Sequence, residues 1–497
     1  MICVKMAERI SPSLIFSILA LVVALSLGLA LSRFNPIYSF VLAGALFVAI
    51  ILLFRQDELF VALVVASQIL IDSYLGYATY QPSLLMALVL LVICYFGRSS
   101  DRPWTGPHWI WLWLVFIILN IIPMLKGGDF SLSNSFGYYL EVVFSPFIIF
   151  WIGNTMAKDI SSVRRIFQFL AVLAALIAIH AIIQATTGKF LFLTARAQAD
   201  LAQNFKINGS VSRAGSFFIN PNGSGVFMAT CFFLPLGLFV ESEHFWAKVI
   251  HLVEMLLILA ALMFTYSNGS WLAAIGGLFV FMFLAGRLRY SVVLFLLVVA
   301  LGVTAFIAFP SQIAVQLSHA KDQGDLSLHL ATWQTATRVL QAYPLFGVGL
   351  GTQAYLIRSQ PFMVAAQTKP LQEPDNSYLQ WGAIAGIPVM LIFLALLFLM
   401  FWYAWRNWLI ADTRYRSLIG AGICALVAIS IDSLTVDGWT GGEFLIWLVA
   451  GLITSPLIGR YMSRQSVPLV DKTVEETVIS KSGHLEWTKQ DEVPDYE

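Results

Sequence analysis

Long apolar runs, each broken by a few charged or turn-forming residues, follow one another along most of the chain. A helix of about 20 mostly apolar residues crosses a bilayer. On that measure the runs predict about 14 membrane helices, beginning near Ser13, Ile37, Phe60, Leu84, Trp109, Tyr138, Val163, Gly223, Val249, Ser270, Tyr290, Ser377, Leu418 and Glu443. Where two neighbouring runs form one re-entrant element, about 12 or 13 spans remain. The two-residue alternation of a membrane β-barrel is missing, so the spans read as helices, which satisfy their own backbone groups inside lipid. The fold class expected is an all-α polytopic integral membrane protein.

Two stretches interrupt this pattern, at about 186–222 and 310–376. Loops beyond about 15 residues are uncommon and usually functional. In the second, Leu326, Leu330, Trp333 and Leu340 recur at helical spacing, with Gln334 and Arg338 off the stripe. An amphipathic helix is expected there, lying either on the outer membrane surface or against the bundle. Pro344 with Gly347, Gly349 and Gly351 reads as a flexible turn. Residues 1–459 form the membrane domain, and 460–497 read as a polar, disordered cytoplasmic tail.

Charge gives the orientation. The short loops assigned to the outer side carry only Arg33 and Lys126, whereas the inner ones collect Arg55, Arg98, Arg102, Lys158, Arg164, Arg165, Arg287, Arg289 and others. By the positive-inside rule both termini are cytoplasmic and both long loops extracytoplasmic. Lys5 and Arg9 precede the first span, and no small-residue cleavage site follows it, so it reads as a retained anchor.

Composition agrees. The 497 residues are 59% hydrophobic and 11% charged, against about 45–50% and about 25% in soluble domains. A net charge of +1 leaves no basic face for nucleic acid. The four cysteines form no paired spacing, so neither a disulfide framework nor a zinc site is indicated.

Two jobs suit such a chain, transport and catalysis. Asp72, His180, Glu254 and Asp432 are candidate ionisable groups within spans. They are scattered, and no inverted halves with broken helices accompany them, which argues against a transporter. The outer loops hold other candidates. Arg213 lies where arginine is not favoured for topology, so an anion partner is suggested. Asn220-Pro221 and Asn222-Gly223 are turn pairs, and Asn222 suits a helix cap. Asp375 or Asn376 suits the cap of the helix after Pro374, and a carboxylate at that boundary also suits a general base. On sequence alone capping is the favoured reading. His319 and His329 read as isolated surface residues. Metal-ligand spacing is missing, so phosphate chemistry here would rest on Arg and Lys, whose guanidinium fork grips phosphate oxygens in pairs.

Three segments together carry a resemblance. They are Arg213-x-Gly215-x-Phe217 with Asn220-Pro221-Asn222; the hairpin Thr265-Tyr266-Ser267-Asn268-Gly269-Ser270-Trp271; and Trp333 with Tyr343-Pro344-Leu345-Phe346-Gly347-Val348-Gly349, then Asp375-Asn376-Ser377-Tyr378-Leu379-Gln380 and Gly386. From about Phe136 to Met400 the chain resembles the O-antigen ligase and polymerase superfamily. The resemblance implies a GT-C-like bundle in the bacterial plasma membrane. It implies an inverting glycosyltransferase that uses neither metal nor cofactor and works on the extracytoplasmic face. Its implied partners are an undecaprenyl-pyrophosphate-linked glycan donor, a glycan or lipid-linked acceptor, membrane lipid and, for a polymerase, a chain-length regulator.

Position by position, Arg213 matches the arginine that binds the donor diphosphate. The hairpin's usual Ser-Arg-Gly is Ser267-Asn268-Gly269 here, and the usual His-Asn is Asp375-Asn376. The aspartate leans toward polymerase, with ligase to lipid A core as the alternative. Asp375 is then the expected base. Arg338 or Arg358, with Lys206, would supply the second positive charge. Asn220, Asn222, Asn268, Asn376, Tyr378 and Trp333 would contact substrate. A flippase or other lipid-linked glycan transporter, and a non-catalytic scaffold, are the readings from other classes.

Overall fold

The computed structural model describes residues 107–157, 159–188, 206–207, 211–218, 220–284, 310, 314, 323–367, 369–413, 415–439, 444–456 and 458. The spans expected near Ser13, Ile37, Phe60, Leu84 and Tyr290, with Asp72, His319 and the tail after 459, lie outside them. The chain is a helical polytopic membrane protein. Five described helical runs are long and apolar enough to cross a bilayer: Ile110–Met156, Ile160–Thr187, Pro221–Glu241, Phe245–Thr265 and Ile387–Ile410.

The first run has internal structure. Helices α1 (Ile110–Leu119) and α2 (Ile121–Tyr139) lead through one π-helical turn (Leu140–Phe144) into α3 (Ser145–Met156). The expected loop around Lys126 is helix instead, kinked where Ser131 turns extended (φ −165°, ψ 105°). Then comes α4 (Ile160–Thr187), capped by Asp159, which accepts from the Ser162 amide at 2.7 Å. The expected Gly223 span is two stacked helices, α5 (Pro221–Cys231) and α6 (Phe233–Glu241). A hairpin follows, α7 (Phe245–Thr265) and α8 (Asn268–Leu284).

The second long loop folds into α9 (Gln323–Ala342) and α10 (Thr352–Arg358). The Ser377 span is also divided. Helix α11 (Ser377–Ala385) stops at Gly386, whose φ of +93° only glycine adopts cheaply, and α12 (Ile387–Ile410) restarts with proline in its first turn. Helices α13 (Arg416–Asp432) and α14 (Phe444–Thr454) complete the bundle. Among the described residues the only strands are β1 (Lys206–Ile207) and β2 (Val211–Ser212), an antiparallel pair just ahead of Arg213.

The core is built by close crossings. Helix α14 lies on α3, α8 on α13, and α7 on α4. At the first crossing a Cβ on Gly451 would stand 2.1 Å from the Phe150 carbonyl oxygen, so backbone touches backbone. Small residues at such contacts are how helices associate in lipid, where apolar burial offers little driving force. Asn154 reinforces it, donating to the Gly451 carbonyl at 3.1 Å.

Helix α9 exists as expected, and its stripe is divided: Leu340 lies against Gly382 of α11 and Trp333 reaches the Asp375 carbonyl, but the best-buried residues stand beside the stripe. Ala331, Thr335, Ala336 and Val339 are buried, and α9 packs on α11, while Leu330 is 45% exposed.

The glycine run after Pro344 is not flexible. The Val348 and Gly349 amides donate to Ala383 and Ile384 carbonyls at 2.8 and 2.9 Å, and Leu350 donates to Pro123 at 2.9 Å. This pins an extended segment between α11 and α2. Gly349 has φ +107°, and a Cβ there would stand 2.6 Å from the Gly127 nitrogen. We expect Gly349→Val to destabilise by more than about 2 kcal/mol, since strain and clash add. Loss of the folded protein from the membrane in a thermal-stability assay checks this; unchanged stability would contradict it.

Candidate active site

The first motif is held from both sides. After β2, the Ala214 amide donates to the Phe264 carbonyl at 2.8 Å. Ser216 takes a left-handed conformation (φ +48°), uncommon for a residue with a Cβ. Helix α4 holds it there: the Ser216 amide donates to Gln184 Oε1 at 2.8 Å, its hydroxyl lies 3.0 Å from His180 Nδ1, and the His180 ring stacks on Phe217 at 4.1 Å. His180, one of the candidate ionisable groups within spans by sequence, is a buried support for this turn.

Arg213 is thereby aimed between two helix ends. Its Nε donates to the Thr265 carbonyl at the C-terminus of α7, at 2.8 Å, and its Nη2 donates to Asn222 Oδ1. Asn220, not Asn222, caps α5, accepting from the Asn222 amide at 2.9 Å with Pro221 in the first turn. Proline at the first helical position fixes which asparagine stands outside the helix. That leaves the Asn222 side chain for the guanidinium.

The second motif sits against the first. Tyr266 turns left-handed (φ +52°) and α8 starts at Asn268. Gly269 packs on the far wall, where a Cβ would stand 2.3 Å from Thr435 Oγ1 and 2.8 Å from Asp432 Oδ1. Asp432, another scattered candidate by sequence, thus lies beside the hairpin. Glu254 pairs with His251 at 2.8 Å on its own helix, so it too has a local partner.

The turn after α13 joins this wall to the third motif. The Ser377 amide donates to the Ser433 carbonyl at 3.0 Å, and Asn376 Nδ2 donates to Leu434 at 3.1 Å. The Trp439 amide donates to Ser377 Oγ at 3.2 Å. Asn376 also caps α11, accepting from the Tyr378 and Leu379 amides at 3.0 Å each. Asp375 is therefore not the cap. Its side chain is 42% exposed, and its carbonyl accepts from Trp333 Nε1 at 3.2 Å. His329, one turn before Trp333 on α9, is not isolated: its Nδ1 stands 3.9 Å from Asp375 Oδ2. Burial, and next the Asp375 charge, push the Tyr355 hydroxyl above its ordinary pKa, so α10 faces this carboxylate with a neutral phenol.

Beneath lies a pair that sequence reading missed. Burial, and next the neighbouring Asp437, raise Glu373 to about 8, and burial raises Asp437 as well. Gln380 Nε2 bridges Glu373 Oε2 at 3.1 Å and the Tyr138 hydroxyl at 2.7 Å. Two carboxyls this close share a proton rather than both ionise. Because the folded pKa lies above the unfolded one, this stabilisation is full below about pH 4.5 and is lost as pH rises through about 8. Wild-type melting temperature should fall between about pH 4.5 and 8 and level off above, and Glu373→Gln should flatten that slope. An equal slope in the variant would remove Glu373 from it.

The remaining expected contacts divide. Arg358 pairs with Asp129 at 2.9 Å, donates to the Val348 carbonyl, and lies 4.7 Å over the Phe130 ring, tying α10 to α2. Lys126 Nζ donates to the Gly347 carbonyl and lies 4.7 Å from the Tyr343 ring centre. Arg338 is exposed on α9. Tyr378 donates to the Ser430 carbonyl at 2.7 Å and packs near Phe393, which makes it a bundle contact. Lys206 opens β1.

An arginine between helix ends is linked through a hairpin and a turn to a part-exposed carboxylate on a polytopic helical membrane protein. The O-antigen ligase family model matches residues 254–394 of the chain. The match takes in the hairpin, α9, the glycine run and Asp375, and it supports the resemblance to the O-antigen ligase and polymerase superfamily over that stretch. Arg213 and the turn after α13 lie outside it. No match was found among curated proteins.

Proposed function

We propose that the protein transfers or polymerises glycan units carried on undecaprenyl pyrophosphate at the outer face of the plasma membrane, in surface polysaccharide synthesis. The observation that carries this reading is the continuity from Arg213 through the Thr265–Gly269 hairpin and the Ser433–Trp439 turn to Asp375. The matched family supports ligase or polymerase activity in general.

The chemistry follows from the side chains. A helix N-terminus and a guanidinium both favour a diphosphate, and Arg213 lies at the start of α5. Charge stabilisation of the leaving diphosphate is usually the largest part of such a barrier reduction. Asp375 accepts the proton of the acceptor hydroxyl as that oxygen attacks the anomeric carbon from the face opposite the leaving group. Inversion is the outcome of that single displacement. Arg338 is the more available of the two further arginines, since Arg358 is tied to Asp129 and Val348. The apolar bundle holds the isoprenoid. Polymerase is preferred on the Asp375-Asn376 motif, and ligase to lipid A core is the alternative.

Purified protein in detergent with lipid-linked repeat units tests the class. An enzyme lengthens or transfers the glycan without a second compartment. A flippase leaves every chain unchanged there, and that result would overturn the proposal.

A further inference from the structure

Glycan transfer leaves a proton on Asp375, and a carboxylic acid at the outer surface must lose it before the next turnover. The residue facing that carboxylate is His329, brought from α9 on a separate element, with Nδ1 3.9 Å from Asp375 Oδ2. We propose that His329 is the proton relay of the site: it positions Asp375 and takes its proton after each transfer. The inference rests on the reading above and deepens it.

Three observations point the same way. The exposures are graded, 42% for Asp375 and 21% for His329, so the carboxylate meets the acceptor and the imidazole stands behind it. The spacing is built, because Trp333, on the next turn of α9, donates its indole N–H to the Asp375 carbonyl at 3.2 Å and fixes the loop against the helix. The gap exceeds a hydrogen bond, and a proton on either group would draw the pair together. The direction is downhill, since free imidazole holds a proton near pH 6.5 and free aspartate near 3.9.

The step balances. The acceptor oxygen forms its bond to the anomeric carbon while the bond to the pyrophosphate oxygen breaks, and that electron pair leaves with the lipid diphosphate. The hydroxyl proton passes to Asp375, then to His329 Nδ1, and from the imidazole ring to outside water. Asp375 is the catalytic residue and His329 the positioning and relay residue.

Tyr355 on α10 senses the Asp375 charge, and Glu373 lies two residues before Asp375 on the same loop. Burial and Asp437 push Glu373 upward, and burial with the Asp375 charge pushes Tyr355 upward. Glu373 stands close enough to the histidine range that a Glu373→Gln control is run beside His329→Gln, and only a limb that moves with His329 reports the pair.

The test is the pH profile of glycan transfer by full-length protein in detergent, for wild type and His329→Gln. Wild type should lose activity on the acid side, once His329 is protonated and can no longer take the proton of Asp375. His329→Gln should show a plateau reduced about 10- to 100-fold and an acid limb moved to lower pH. His329→Asn is read the same way if the glutamine variant does not accumulate. A limb that stays in place, whether or not the plateau falls, overturns the relay and leaves a structural contact. If wild type transfers glycan and Arg213→Ala does not, the functional reading stands whatever His329 does. Failure of wild type to transfer removes both.

Discussion

Arg213→Ala should abolish glycan transfer while the protein still accumulates in the membrane. The expected loss is at least about 10²–10³-fold, the usual cost of removing one group that stabilises developing charge. The side chain bonds the Thr265 carbonyl and the Asn222 amide oxygen, so it bridges the first and second motifs at the mouth of α5. Alanine removes the charge and releases both acceptors. Arg213→Lys separates these effects. It keeps the charge but loses the planar fork, so partial activity is expected. Wild-type transfer by Arg213→Ala, measured as polymer ladders or transferred glycan at equal membrane abundance, would exclude Arg213 from donor binding.

Asp375→Asn is the second large effect. Asn376, not Asp375, accepts the Tyr378 and Leu379 amides, so the substitution leaves the start of α11 intact. The Trp333 bond goes to the Asp375 carbonyl and survives as well. What is lost is a negative charge and a basic oxygen. General-base catalysis contributes about 10²–10⁴-fold, and a loss in that range is expected with unchanged thermal stability. Asn376→Ala should behave oppositely. It removes the cap and the tie to Leu434, costing about 1 kcal/mol or more of stability. If Asp375→Asn keeps full turnover, the basic centre lies elsewhere.

Much of the fold could be read from residue order, because lipid demands long apolar helices with internally satisfied backbones. Helix starts at Pro221, Asn268 and Ser377 follow local turn chemistry and were legible to within a few residues. Choices between neighbours were less legible. Asn220 and Asn222 are both good caps, and only the α5 geometry gives one the helix and the other Arg213. The glycines after Pro344 signal bending, yet their role is close approach to α2 and α11. Helix α9 showed its period but only part of its packing face: Leu340 of the stripe meets α11, whereas the burial of Thr335 depends on Val364 and Gln367, which sequence spacing does not bring near. Groups that meet across the fold left no local trace. His329 reaches Asp375 from another helix. Glu373 meets Asp437 from a separate turn. Their companions, Tyr138 and Gln380, sit within apolar runs where a polar residue looks like an interruption.

The sidedness of transfer is the decisive quantity. In sealed vesicles of known orientation, donor and acceptor can be presented to one face at a time. Product should form when both reach the face carrying Arg213 and Asp375, which positive-inside charge assigns to the exterior, and Arg213→Ala vesicles should form none. Product formed only from substrates on the cytoplasmic face, or formed equally by the alanine variant, would contradict an outward-facing site built on Arg213.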